Sequence, residues 1–187
     1  MKTLIAPACA VAALSMALAT PALADLKPGT KAPDFSAPAY LAGQPFTFKL
    51  ADALKKGPVV VYFFPAAHTQ GCNIEAHLFS EAIDDFKKQK ATVIGVTAGK
   101  VGELADFSKE TEHCGGKFPV AADPGAVIAK QYDAPLVMPG GKTMEGMSGR
   151  VSYVVAKDGK IVHAYNNLNP NDHVTETLNA VKALNAK

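Results

Sequence analysis

The chain has 187 residues, of which 48% are hydrophobic and 19% are charged. This length is enough for one domain with a sizeable hydrophobic core. Lys and Arg number 19 against 17 Asp and Glu, so the net charge is only +2. So small a charge gives no reason to expect a nucleic acid or a membrane surface as a partner.

The N-terminus predicts a secretory signal peptide over residues 1–24. Lys2 precedes an apolar run over residues 4–18, and Ala22-Leu23-Ala24 is a small-x-small cleavage site. We therefore expect one domain over residues 25–187 and export to the periplasm. The alternative is a transmembrane anchor, but the apolar run is short for a span of about 20 residues.

The next part of the chain predicts extended segments that lead into a buried strand. Residues 25–44 are rich in Pro, Gly and Ala and favour an irregular wrap. Residues 45–50 alternate as a strand does, and residues 51–56 favour a helical turn. Residues 59–64 are β-branched or aromatic, which is typical of a buried strand, and Pro65 ends it.

Cys72 falls where the next helix should begin. Residues 72–90 predict an amphipathic helix, with apolar residues at Ile74, Leu78, Ile83 and Phe86. The free N–H groups and the dipole at a helix N-terminus stabilise a thiolate, which is the nucleophilic form of cysteine. The position therefore predicts a reactive thiol.

The rest of the chain alternates helices and strands. We expect a strand at 91–97, a helix at 100–112 and a short edge-like strand at 117–121. A helix should then run from the Asp123-Pro124 cap to Tyr132, followed by a Gly/Pro/Met-rich loop at 134–149. Strands at 150–156 and 160–165, joined by an Asp158-Gly159 turn, lead to a last helix from an Asn171 cap to about residue 184. This order predicts an α/β fold with a central mixed sheet and helices on both faces. In such folds strand C-termini and helix N-termini share one rim, where we expect Cys72.

The cysteine count alone leaves two interpretations open. Cys9 lies in the predicted signal peptide, so the exported chain would keep Cys72 and Cys114. Two cysteines in an exported chain favour one structural disulfide. The position of Cys72 instead favours a reactive thiol.

The spacing Pro65-x-x-x-Thr69-x-x-Cys72, directly after an apolar strand, resembles the active-site signature of peroxiredoxins. These are thiol peroxidases on a thioredoxin-like fold. The resemblance extends to the segments at residues 31–35, 118–124 and 149–161, and so covers nearly all of the chain after the signal peptide. It is nearest to the bacterioferritin-comigratory, or Q-type, branch.

The resemblance implies a role for each of five residues. Cys72 would be the peroxidatic nucleophile, which becomes a sulfenic acid. Thr69 would hold the peroxide through its hydroxyl, and Pro65 would shield the thiolate from water. Arg150, the only arginine, would stabilise the thiolate and the charge on the leaving oxygen. Glu75 would orient that arginine.

The chain departs from the Q-type pattern at the second cysteine. Many members carry one five residues after the first, where this chain has His77. The resemblance makes Cys114, in the sequence His113-Cys-Gly-Gly, the candidate resolving cysteine of an intramolecular disulfide. Helix ends on the rim can lie further apart than a disulfide allows, so local unwinding would be needed. A one-cysteine enzyme that uses an external thiol and a static Cys72–Cys114 bridge remain as alternatives.

Together these features predict an exported thiol peroxidase that reduces hydrogen peroxide and small organic hydroperoxides. The expected reductant is a thioredoxin-like dithiol protein, and the expected state is a monomer or weak homodimer without cofactor or metal. A thiol–disulfide exchange protein would carry a cysteine at Thr69, so we disfavour it. A non-enzymatic module with a structural disulfide is the other alternative. We interpret His68 as an exposed loop residue, His77 as a solvated helix residue, and the loop with Met138, Met144 and Met147 as flexible rather than copper-binding.

Overall fold

The computed structural model describes residues 25–186. The predicted signal peptide lies outside the described residues. Within them, no helix is both long and apolar enough to cross a bilayer.

A mixed sheet of seven strands forms the centre of the described structure, and two further strands form a separate antiparallel pair. The strands are β1 Ser36–Leu41, β2 Gln44–Lys49, β3 Val59–Phe63, β4 Thr92–Thr97, β5 Val120–Ala122, β6 Pro135–Val137, β7 Thr143–Ser148, β8 Val151–Val155 and β9 Ile161–Asn166. The order in the sheet is β2-β1-β5-β4-β3-β8-β9, and β6 and β7 form the separate pair. Strands β3, β4 and β5 run parallel, whereas β8 lies antiparallel to β3.

Helices cover both faces of this sheet, as its two separate buried clusters show. The helices are α1 Leu50–Leu54, α2 Gln70–Lys88, α3 Leu104–Lys109, α4 Val127–Gln131 and α5 His173–Asn185, and a 3₁₀ turn, Val101–Glu103, precedes α3. One buried cluster joins β3 to α1 and α4, and the other joins β3 to α2, α3 and α5. The predicted α/β fold with a central mixed sheet is confirmed.

Strand β3 positions the loop that precedes Cys72. All five of its residues are buried, because β3 lies between β4 and β8 and is covered on both faces. Such a strand is a continuous apolar run rather than an alternating one. Its buried position explains why the sequence signal at residues 59–64 is so clear.

Three predictions about strands and helices are wrong in detail. Strand β5 is not at an edge, because β1 pairs with it through Ala39 and Ala121. The helix expected over residues 100–112 begins as a 3₁₀ turn and ends at Lys109. The loop expected over residues 134–149 contains the β6–β7 pair.

Three predictions about individual helices are also wrong. Ile74 is 40% exposed, because the buried face of α2 runs through Cys72, Ala76 and Phe79 instead. Asn171 does not cap the last helix, whose N-cap position is Asp172 and lacks a side-chain cap hydrogen bond. The helix predicted to start at Asp123-Pro124 begins only at Val127, with Ala126 as its N-cap residue. The Asp123 carboxylate nevertheless accepts the Ile128 and Ala129 N–H groups of its first turn at 2.9 Å each.

Candidate active site

Cys72 is the third residue of α2 and lies directly beyond the carboxyl end of β3. Its side chain is almost fully covered, with 1% exposure. The thiol therefore lies in the first turn of a helix, next to free backbone N–H groups, as the sequence predicts. Both Cys72 and Cys114 are free thiols in this structure.

The three nitrogens of Arg150 donate to three different partners, two of which are Cys72 and Glu75. Its Nη2 donates to Cys72 Sγ at 3.4 Å, its Nη1 donates to Glu75 Oε2, and its Nε donates to the Leu168 carbonyl at 2.9 Å. The guanidinium is only 6% exposed. A charge held so firmly beside sulfur stabilises a thiolate without any reorganisation.

Gly71 allows this close approach of helix and arginine. A Cβ at this position would lie 3.0 Å from Nη2 of Arg150. The residue before Cys72 thus leaves room for the guanidinium. Its two chain neighbours apart, Arg150 is the only side chain within residues 25–186 that such a Cβ would meet within 4 Å.

Glu75 is completely buried, one helical turn after Cys72. Burial raises the pKa of this carboxyl group to about 8, even though the charge of Arg150 acts in the opposite direction. For Arg150 the burial acts to lower the pKa, but Glu75 and Cys72 raise it above its ordinary value. The guanidinium therefore stays charged, and burial makes the Glu75 carboxyl group harder to ionise than an ordinary one.

His173 of α5 completes the buried polar cluster, and the sequence analysis missed it. Its Nε2 lies 2.8 Å from the Asn167 carbonyl, which only accepts, so this nitrogen carries the hydrogen. Its Nδ1 therefore accepts the Ser152 hydroxyl at 2.8 Å, and Glu75 Oε1 lies 3.5 Å away. Burial lowers the pKa of His173 to about 4, so the ring is neutral.

Glu75 Oε1 makes no hydrogen bond within residues 25–186 although it is buried. The nearest polar atom given for it is His173 Nδ1, at 3.5 Å, whose lone pair already accepts the Ser152 hydroxyl. This juxtaposition depends on the docking of α5, and His173 lies in no local motif that could have revealed it.

Thr69 and Pro65 hold the loop between β3 and α2. Thr69 is the exposed N-cap residue of α2, and its hydroxyl donates to the Ala66 carbonyl at 3.0 Å, which leaves its lone pairs free. Pro65 is partly buried, and its carbonyl accepts the Thr97 hydroxyl of β4 at 3.1 Å. The structure thus places Thr69 on the exposed side of the loop and Pro65 against β4 of the sheet.

Cys114 is fully buried in the same core cluster as Cys72, and burial raises the pKa of its thiol far above the ordinary value. The Tyr62 ring stacks on Phe79 in this cluster at a centroid distance of 4.5 Å. Burial, and then the charges of Cys114, Glu75 and Cys72, raise the pKa of Tyr62, so its hydroxyl is neutral. Cys114 is therefore a weak nucleophile until its segment opens.

The remaining residues that the sequence analysis singled out lie around this site or away from it. His77 is exposed on α2 beside Glu81, as expected. His68 is not fully exposed, because its ring packs edge-on against Phe107. Met138 is 43% exposed on the β6–β7 side of the molecule.

Most of the chain matches a known protein family. The match is to the AhpC/TSA family, over residues 28–164. The chain belongs to this family, the peroxiredoxins. The matched range includes the loop before Cys72, the helix that carries it and the strand that follows Arg150.

Curated relatives and solved structures agree with this assignment. Over 157 residues the chain is 32% identical to the chloroplastic peroxiredoxin Q of Oryza sativa subsp. japonica, which covers 83% of this chain and 67% of the relative. It is 35% identical to a putative peroxiredoxin of Mycobacterium tuberculosis strain H37Rv, over 81% of this chain and 92% of the relative. The crystal structure of peroxidoxin BcpB from Mycobacterium tuberculosis superposes with a TM-score of 0.72 at 26% identity, covering 85% of this chain and 98% of that one.

The predicted fold and enzyme class are therefore confirmed. The domain is a thioredoxin-like peroxiredoxin fold, and this peroxiredoxin is a thiol-dependent peroxidase.

Proposed function

We propose that Cys72 is the peroxidatic cysteine and that Cys114 resolves it. The observation that carries the first role is the contact of 3.4 Å between Arg150 Nη2 and Cys72 Sγ in a site closed to water. Cys114 is the only other cysteine within residues 25–186 and belongs to the same buried cluster.

The first step is attack of the Cys72 thiolate on one peroxide oxygen. The S–O bond forms as the O–O bond breaks, so sulfur is oxidised to a sulfenic acid and the peroxide is reduced to water or an alcohol. The departing oxygen gains negative charge and takes up a proton. Arg150 stabilises the thiolate before the reaction and the developing charge during it.

Thr69 and Glu75 support this step in different ways. The Thr69 hydroxyl already donates to Ala66, so it offers lone pairs to the O–H of an incoming peroxide at the exposed side of the loop. Glu75 accepts a hydrogen bond from Nη1 and so fixes the guanidinium on the side away from sulfur.

The second step joins Cys114 to Cys72. The Cys114 thiol attacks the sulfenic sulfur, an S–S bond forms, and the hydroxyl leaves as water. Because Cys114 is fully buried, this step requires the turn after α3 to open. Gly115 and Gly116 carry φ angles of +59° and +68°, and they supply the backbone freedom at that place.

The proposal also covers the reductant, the oligomeric state and the location of the protein. A thioredoxin-like dithiol protein would reduce the disulfide, and the chain would act as a monomer or weak homodimer in the periplasm after loss of residues 1–24. The peroxiredoxin Q relatives support placement in the Q-type branch, although His77 replaces that branch's nearby second cysteine.

The deciding experiment is stopped-flow oxidation of the reduced protein by hydrogen peroxide, with mass spectrometry of the product. Wild type, Cys72→Ser and Cys114→Ser should be compared. We expect rapid consumption of peroxide only when Cys72 is present, a Cys72–Cys114 disulfide in wild type, and a sulfenic acid in Cys114→Ser.

Other outcomes would assign the cycle differently. A stable sulfenic acid in wild type would make this a one-cysteine enzyme that uses an external thiol. Slow consumption by all three proteins, near the rate of a free thiol, would remove Cys72 from the peroxidatic role and favour a structural disulfide.

A further inference from the structure

Two histidines and a glutamate meet beside the active-site loop, in a cluster that the peroxidase mechanism does not use. His68 belongs to the loop before Cys72, whereas Glu110 and His113 lie in the turn after α3. One potential ligand atom from each lies within 4.8 Å of the others. We propose that these three residues form a binding site for a divalent zinc-class metal ion.

The distances around Glu110 Oε2 are suitable for this role. This oxygen lies 2.9 Å from Nδ1 of His113 and 3.7 Å from Nδ1 of His68. In a tetrahedral zinc site, neighbouring ligand atoms lie about 3.3 Å apart, because the bonds are about 2.0–2.1 Å long. The two measured distances lie on either side of that value. Two imidazoles and one carboxylate are also a typical ligand set for a zinc ion that keeps one open position.

His113 provides a second, independent observation. Its side chain is 91% buried, with 9% exposure, and its Nδ1 is buried without a hydrogen-bond partner within residues 25–186. The Glu110 oxygen is close to this nitrogen but makes no hydrogen bond to it. A buried imidazole nitrogen without a partner carries a free-energy cost that a metal ion would remove.

The surrounding structure holds both rings in place. The His113 ring stacks on Phe107 at a centroid distance of 4.7 Å, and the His68 ring meets Phe107 edge-on at 5.3 Å. The backbone N–H of His113 donates to the backbone carbonyl of Glu110 at 3.0 Å, and this bond fixes the two ligand residues relative to each other. Rigid ligands reduce the entropy that metal binding costs.

Other charged groups lie near His68 as well. Glu103 Oε2 lies 3.9 Å from Nε2 of His68 and also 3.5 Å from Nζ of Lys100, so its charge is largely offset by that lysine. The attraction for a cation therefore comes mainly from Glu110. The φ angle of His68 is +54°, in the left-handed region that histidine and asparagine tolerate better than most residues with a side chain.

Metal binding would join the loop of Cys72 to the segment of Cys114. His113 is the direct neighbour of Cys114, so a bound ion would hold this segment closed and slow disulfide formation. This consequence rests on the roles proposed above for the two cysteines, whereas the binding site itself does not.

The test is a titration of the reduced full chain with Zn²⁺ by isothermal calorimetry. His68→Asn removes one ligand and keeps a residue that tolerates positive φ, and Glu110→Gln removes the carboxylate with little change of shape. His77→Asn is the matched control. His77 pairs with Glu81 on the exposed face of α2 and belongs to no cluster of three potential metal ligands among the described residues. We expect wild type to bind one zinc ion per chain. The dissociation constant should rise about 100-fold in His68→Asn and in Glu110→Gln, and it should stay the same in His77→Asn.

Substitution of Co²⁺ identifies the ligands by absorption. The expected spectrum is that of a nitrogen and oxygen site, without the charge-transfer bands of thiolate ligands. The proposal would be overturned by thiolate bands, by no zinc binding in wild type, or by equal affinity in wild type and either ligand variant. An equal loss in His77→Asn would also overturn it.

The consequence for the cycle has its own readout. Zinc should slow formation of the Cys72–Cys114 disulfide in wild type but not in His68→Asn. If zinc binds as expected and the rate does not change, the site stands and the proposed closure of the Cys114 segment is wrong.

Discussion

The guanidinium of Arg150 makes three hydrogen bonds in three directions, which a single ammonium charge would not provide. Each of its three nitrogens has a different partner: the thiol of Cys72, the carboxyl of Glu75 and the Leu168 carbonyl. Its planar shape therefore fixes the direction of the charge toward sulfur.

Replacement of Arg150 by lysine should nearly abolish the reaction although the charge remains. A single ammonium group would not reproduce the three contacts, so we expect oxidation of Cys72 by peroxide to slow by about 100-fold. Stopped-flow kinetics of the two proteins would measure this, with thermal unfolding to show that the variant is folded. A rate within threefold of wild type would mean that only the presence of positive charge counts.

Gly71 is a second residue whose small size matters for the site. Gly71→Ala would press a methyl group against the guanidinium at about 3.0 Å and displace it from Cys72. We expect oxidation of Cys72 to slow by about tenfold, which corresponds to about 1.4 kcal/mol. Gly102→Ala is the control, because a Cβ there meets no heavy atom within 4 Å among residues 25–186, its chain neighbours apart. Equal rates in the two variants would contradict this account.

At the scale of elements, a hydrogen bond links the turn after α3 to α2. The ammonium group of Lys117 donates to the Ser80 carbonyl at 3.1 Å, and this bond joins the segment of Cys114 to the helix of Cys72. Under the cycle proposed above, the segment of Cys114 rearranges before its disulfide forms.

Lys117→Met should therefore speed up disulfide formation. Loss of a partly exposed hydrogen bond of about 0.5–1 kcal/mol should favour the open segment and raise the rate by about two- to fivefold. Quenched-flow measurement of free thiols after a peroxide pulse would report the rate. Lys87→Met is the control, since Lys87 makes an exposed ion pair with Asp84 of its own helix. A slower rate in Lys117→Met would show that this bond positions Cys114 rather than restrains it.

The sequence predicts those elements whose signals are local. The apolar run of β3, the position of Cys72 in the first turn of α2 and the place of Arg150 just before β8 all follow from short patterns. The buried face of α2 does not, since Ile74 and Phe79 are both apolar and only tertiary packing decides between them.

Long-range pairing explains the other differences. Strand β5 becomes an inner strand because β1, about 80 residues earlier, pairs with it. In the same way His173 reaches Ser152 only because α5 packs on β8. Such contacts have no signature in a short window of sequence, and this is why the buried polar cluster around Glu75 was incomplete before the structure was known.

At the scale of the whole molecule, two buried titratable groups couple folding to pH. The pKa of Glu75 is raised from 4.5 to about 8, so the folded chain holds a proton that the unfolded chain has lost. The stability from this group is present at low pH and is lost as the pH rises toward 8. The pKa of His173 is lowered from 6.5 to about 4, so its effect has the opposite sign and is confined to lower pH.

We therefore expect the free energy of unfolding of the reduced protein to fall between pH 6.5 and pH 8. Glu75→Gln should flatten this dependence, because the amide resembles the protonated carboxyl group but does not titrate. Urea denaturation at several pH values, in the presence of a reductant, would measure the slopes. Parallel slopes for wild type and Glu75→Gln would show that Glu75 is ionised throughout this range.

The shared burial of Cys72 and Cys114 has a consequence for how this enzyme could be improved. Under the proposed cycle, each turnover must loosen part of the packed cluster that holds both cysteines together with Phe79 and Phe107. Substitutions that tighten this cluster would raise the melting temperature and lengthen the life of the sulfenic acid, which a second peroxide can oxidise irreversibly. A thermostabilised version of this peroxidase should therefore be inactivated by fewer equivalents of its own substrate.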